Sequence, residues 1–136
     1  MTLKAFIAFL CISFISSYAV GQTSFTNKLT GKWEATDGDG VTGSLNFIDS
    51  VHVIVTIPGR SLPTGNYVVD TTKTPMWFDI TFRQGNVIET MTGLMKLISD
   101  TRLKWQISTT GTRSETFNKE KTDNSIILTR STSLKK

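Results

Sequence analysis

The sequence predicts an all-β domain, an eight-stranded antiparallel up-and-down β-barrel preceded by a signal peptide. Three observations lead there. After residue 30, apolar side chains recur in eight short runs, several of them alternating with polar ones as strands with one buried face require. Clusters of turn-forming residues separate the runs, mostly at hairpin length. Eight short strands can close on themselves and leave no exposed edge, with a two-sheet sandwich as the main competitor.

The bulk numbers fit one folded domain. The chain has 136 residues, 38% hydrophobic and 19% charged, with three prolines, which is neither a disordered nor a collagen-like composition. Its beginning reads differently. Lys4 supplies a positive start, Ala5 to Ile15 is apolar apart from Ser13, and Ala19 and Gly21 stand at small-residue cleavage positions. Residues 1–21 read as a secretory signal peptide and 22–136 as a single domain. The apolar core of the signal covers eleven residues, against the ~20 needed to span a bilayer. An extracytoplasmic location, periplasmic or secreted, follows, with no stable membrane span after cleavage.

The only cysteine, Cys11, lies inside the signal, so disulfides and cysteine chemistry are not expected in the mature chain. The net charge of +4 is scattered among acidic residues without a run of five like charges, so no nucleic-acid partner is expected. Arg102, Lys104 and Trp105 give the one stretch that resembles a face for stacking single-stranded bases.

The runs, in order, are Lys32 to Thr36, Thr42 to Ile48, Val51 to Ile57, Asn66 to Asp70, Met76 to Arg83, Glu89 to Ile98, Leu103 to Ser108 and Ser125 to Arg130. In the third, Val51, Val53, Val55 and Ile57 share one face, and β-branched residues fill almost every place. In the fifth, Met76, Phe78, Ile80 and Phe82 alternate with Trp77, Asp79 and Thr81. The sixth is ambiguous: Val87, Met91, Leu94 and Ile98 also fit helical spacing, although Gly93 and the threonines favour a strand.

Chemical constellations are few. Asp37 and Asp39 in "DGDG" suggest a calcium loop, but Val41 and Ile48 stand where further ligands would be needed, and Asp-Gly is a preferred pair for a two-residue hairpin turn. A phosphate cradle would need a helix after the glycines, and "VTGSLNFI" reads as a strand. His52, with Asp49 and Ser50 nearby, suggests a hydrolytic triad without the nucleophile elbow that would support one. The carboxylates Asp70, Asp79 and Glu89 fall on different strands, and hydrolysis by a carboxylate pair needs a separation of about 5 to 9 Å. No catalytic residue, metal or cofactor is expected. Trp33, Trp77 and Trp105 lie on three separate strands, joined by Tyr67 and several phenylalanines, and an eight-stranded barrel can either be filled by such side chains or hold one small ligand.

"LTGKWEAT" resembles the Gly-x-Trp signature of lipocalins, the calycin-type barrels in which a first-strand tryptophan closes one end beneath a basic side chain from the last strand. Gly31 and Trp33 match it, and Arg130 in "IILTR" occupies the partner place. "YVVDTTKTPMWFDI" more closely resembles a family of small exported bacterial lipocalin-like domains, with Tyr67, Asp70, Lys73, Pro75, Phe78 and Asp79 on its motif. "GLMKLISDTRLKW" resembles that family's next hairpin. "RSETF" places Arg113 and Phe117 on a further motif, with Ser114 where the family has proline. The resemblance implies a lipocalin-like fold and export, and no catalytic residues.

The function expected is non-catalytic binding of a small apolar ligand by a monomer, with Tyr67, Trp77, Trp105 and Arg113 at the mouth or wall. The alternative is a structural or protein-interaction domain of the cell envelope with a filled barrel.

Overall fold

Wherever apolar and polar side chains alternate, the chain extends. The computed structural model describes residues 25–37, 40–58, 60–108, 110–118 and 124–132. The strands are β1 (Gly31–Asp37), β2 (Gly40–Phe47), β3 (His52–Ile57), β4 (Arg60–Ser61), β5 (Gly65–Asp70), β6 (Met76–Gln84), β7 (Val87–Ser99), β8 (Arg102–Ile107) and β9 (Ser125–Arg130). Eight of them coincide with the predicted runs to within two residues at each end. The stretch read as a signal peptide, residues 1–21, lies outside the described residues, as do positions 38–39 of the "DGDG" turn; Asp37 pairs with Gly40 across that hairpin.

Every pairing is antiparallel, and the ring runs β1, β2, β3, β5, β6, β7, β8, β9. It closes where Trp33 meets Arg130 and Glu34 meets Thr129. First and last strands therefore share one sheet, and the architecture is a closed eight-stranded barrel rather than a sandwich. Two features escaped the pattern of the sequence. Residues 25–29 form a helical turn, and β4 adds two residues beside the far end of β3, Ser61 opposite Thr56 and Arg60 opposite Ile57. Both are shorter than the stretch over which a period can be recognised.

The ambiguous segment is a strand throughout. β7 pairs with β6 from Val87 to Met95 and with β8 from Gly93 to Ser99, with a bulge between Leu97 and Ser99. The residues that mimic a helical stripe do not share a face: Met91 points inward beside Ile80, Leu94 points outward beside Trp77, and Val87 and Ile98 are exposed. Two ladders of backbone hydrogen bonds outweigh a coincidence of spacing.

Inward positions hold the core, which includes Trp33, Leu45, Phe47, Val53, Val55, Tyr67, Val69, Phe78, Ile80, Phe82, Met95, Leu103, Trp105 and Leu128. Full burial of one such Leu, Val, Ile or Phe contributes about 1.5 to 3 kcal/mol. Of the third run's apolar face, Val53 and Val55 are buried while Val51 and Ile57, at its ends, are exposed.

Alternating strand direction sorts the connections to the two ends of the barrel. The helical turn and the β2–β3, β5–β6 and β7–β8 connections lie at one end. The β1–β2, β3–β5, β6–β7 and β8–β9 connections lie at the other.

Candidate functional site

Strand parity separates the four residues predicted at a ligand into two pairs. Tyr67 and Trp105 have the parity of Val69 and Leu103 and face the interior, where both are buried. Their rings belong to one chain of contacts. Phe47 and Tyr67 meet edge-on at 4.9 Å between centroids, Tyr67 and Phe78 at 6.0 Å, and Phe78 and Trp105 at 5.9 Å. These are the favourable geometries for aromatic quadrupoles. The Tyr67 hydroxyl is engaged as well, donating to the Asp49 carbonyl oxygen at 2.8 Å. Burial, aided by the negative charge of Asp49, pushes its phenol up to about 12.

The end that carries the helical turn is plugged. Trp33 Nε1 donates to the Leu29 carbonyl oxygen at 2.8 Å, tying the first strand to the helical turn. Above the Trp33 ring, 4.1 Å from its centroid, lies the Arg130 guanidinium. Its nitrogens donate to the carbonyl oxygens of Asp100 at 3.0 Å, Thr30 at 2.8 Å and Lys28. The last carbonyls of a helical turn have no partner inside it, and the arginine fork supplies them. Gly31 has φ +116°, a conformation side chains rarely adopt, and a Cβ there would sit 3.5 Å from Arg130 Nη1. Gly31, Trp33 and Arg130 thus act as one unit.

Trp77 and Arg113 are joined on the outside of the barrel. Trp77 and Asp79 alternate with the buried Phe78 and Ile80, so both point outward. Arg113 reaches Asp79 with both ends of its fork, Nη1 to Oδ1 at 2.7 Å and Nη2 to Oδ2 at 2.9 Å, and Nη1 also donates to the Gly93 carbonyl oxygen at 2.8 Å. Its guanidinium lies 4.4 Å from the Trp77 ring centroid, and Lys73 Nζ lies 4.7 Å from the same ring. Pro75, joined to Thr74 by a cis peptide bond, falls in the turn between Lys73 and Trp77. In that turn the Thr72 hydroxyl and backbone N–H both donate to Asp70 and lower its carboxyl value, with the Lys73 and Arg113 charges adding.

Arg113 belongs to a strap, residues 110–118, laid over the barrel wall. Leu94 faces outward between Trp77 and Gln106, yet it is only 1% exposed. The strap is fastened to its neighbours: Arg113 anchors on Gly93, and the Asn118 backbone N–H donates to Gln106 Oε1 at 2.7 Å. Ser108 N–H to Thr92 and Ile107 N–H to Asn124, each at 2.8 Å, fix the chain where it leaves β8. Phe117 accepts Lys104 Nζ over its ring at 4.7 Å.

His52 and Asp49 form an exposed pair. Nδ1 of His52 lies 2.8 Å from Asp49 Oδ2, and Asp49 Oδ1 accepts the backbone N–H groups of Val51 and His52. The hydrogen bond from His52, followed by the two backbone donors, lowers the Asp49 carboxyl to about 2. Among the described residues, the His52 ring bonds to Asp49 alone. The proposed stacking face is split, because Trp105 faces inward while Arg102 and Lys104 face outward.

Sequence reasoning missed Leu94 and Gln106, whose outward parity argues against burial, and Leu62, Ile107 and Ile126, which are half-buried against the core. Ile107 and Ile126 share inward parity with Trp105 and Leu128, and that could have found them. Among the described residues no group of three or more His, Cys, Asp or Glu could hold a metal ion, and no helix is long and apolar enough to cross a membrane. No protein-family model, curated protein or solved structure matches the chain.

Proposed function

We propose that the chain is an exported, lipocalin-like barrel that binds a small apolar molecule without catalysis, in a shallow mouth at the end opposite Trp33. The observation that carries this is the difference between the two ends. One is closed by Trp33, Arg130 and the helical turn. At the other, Leu62, Ile107 and Ile126 sit next to the connections, packed on the core but partly open to solvent as Phe25, Met76 and Leu97 are at the first end, with no tryptophan and arginine plug over them among the described residues, and Met91 continues the same inner wall. A partly exposed apolar surface suits a small hydrophobic ligand.

A second reading, a filled barrel that serves as a structural or interaction domain of the cell envelope, is favoured by the ring contacts from Phe47 to Trp105. Native mass spectrometry of protein from its own host, followed by tryptophan-fluorescence titration, separates the two. Binding predicts a mass above that of the chain and quenching that a Met91→Glu substitution weakens. A clean apo mass with no quenching by fatty acids, isoprenoids or small aromatics would leave the filled barrel.

A further inference from the structure

We propose that the outer face of β7, β8 and β9 docks onto an anionic phospholipid surface. Lys96 and Lys104 are direct cross-strand partners, and Lys104 is in turn opposite Ile127 on β9. Two residues along β8, Arg102 points the same way, opposite Thr129. Like charges placed directly opposite each other on a sheet cost stability. Some cations of the barrel are compensated: Lys32 pairs with Glu34, Arg113 with Asp79, and Arg130 with three carbonyl oxygens. Here, among the described residues, no carboxylate forms an ion pair with Lys96, Arg102 or Lys104. Three cations side by side on one face attract an anionic partner.

The apolar residues choose among anionic partners. Ile98, at the β7 bulge, and Ile127 are 43% and 38% exposed among these cations. Branched aliphatic side chains framed by lysine and arginine match the boundary between headgroups and acyl chains, where apolar groups enter and cations meet phosphate. A single-stranded nucleic acid would instead call for free aromatic faces. On this side Trp105 is turned into the core, and the Phe117 ring is occupied by Lys104. The docking face lies on the barrel wall, so it is independent of a ligand at the mouth.

The test is co-sedimentation of the protein, as recovered from its host, with vesicles of phosphatidylcholine alone or containing about one third phosphatidylglycerol. Binding is expected only to the anionic vesicles and should weaken as salt rises. Lys96→Gln with Lys104→Gln should weaken it about thirtyfold, two cations' worth of surface attraction. Both side chains point away from the core, Lys104 giving up only its contact with the Phe117 ring, and the thermal midpoint is measured to show that folding is kept. Ile98→Ser with Ile127→Ser should weaken vesicle binding that persists at higher salt. Absence of binding to anionic vesicles, or binding unaltered by the lysine substitutions, overturns the proposal. Equal binding of a polysulfated glycan or an oligonucleotide, insensitive to the isoleucine substitutions, overturns it in favour of a polyanion.

Discussion

Gly93 leaves no room for a side chain between β7 and β8, and the reason is steric rather than conformational. A Cβ placed there would lie 2.2 Å from the Gln106 carbonyl oxygen and 3.3 Å from Trp105 Nε1. The first of these is backbone, held by the β7–β8 ladder and unable to step aside. Gly65 offers a contrast, since its Cβ would meet the Ile80 side chain at 2.7 Å and the Phe82 ring at 3.0 Å. Overpacking a core costs about 1 to 3 kcal/mol, and the two sites should fall at different points of that range. Gly93→Ala is expected to lower unfolding stability by about 3 kcal/mol and Gly65→Ala by about half as much, read from urea midpoints at unchanged slope. Equal losses would mean that β8 shifts to make room. Gly93 also lends its carbonyl to Arg113, so a displaced β7 should loosen the strap as well.

At the scale of elements, the strands were legible and the strap was not. A period of two is a local signal: each of the eight long strands shows its faces within a few residues, and Phe78 against Asp79 needs no knowledge of the rest of the chain. The strap depends on contacts between distant positions, Arg113 with Asp79 and Asn118 with Gln106, and no spacing rule announces them. The motif resemblance selected Asp79 and Arg113 separately but did not join them. Leu94 was misleading as well, because it has outward parity and is nonetheless buried. Residue type groups Tyr67, Trp105, Trp77 and Arg113 at a ligand, whereas strand parity turns the first two into the core and leaves the last two joined outside it. Arg113→Gln tests the strap as a unit. Losing the bidentate pair leaves Asp79 without its cation and is expected to cost about 2 kcal/mol. Hydrogen exchange should accelerate at the Asn118 amide, held on Gln106, and at the Ser108 amide, held on Thr92 where the strap begins, and much less at the Leu45 amide on β2, across the barrel. Uniform acceleration would show that the strap and the barrel open together.

For the whole molecule, closure couples the ends of the barrel to its titration. The β2–β3 connection carries Asp49, which takes His52 on its carboxylate and Tyr67 on its carbonyl, so a single turn holds two groups with shifted proton affinities. The Asp49 carboxyl is lowered from 3.8 to about 2, so between those values the unfolded chain binds more protons than the folded one. Stability therefore rises with pH across that window: the Asp49 contribution is complete above pH 3.8 and is lost as pH falls through about 2. Tyr67 acts with the opposite sign. Its phenol is raised from 10.0 to about 12, so between those values the folded state holds the extra proton. Its contribution is complete below pH 10.0 and is lost as pH rises through about 12. Urea unfolding as a function of pH should show both slopes. Asp49→Asn should flatten the acid slope, and Tyr67→Phe should flatten the alkaline slope while lowering stability at neutral pH through loss of the hydroxyl bond. Because the Tyr67 ring is one link in the contacts from Phe47 to Trp105, its ionisation at high pH should also perturb Trp105 emission. A tryptophan spectrum that stays constant while the alkaline slope appears would place the proton loss elsewhere than in the barrel interior.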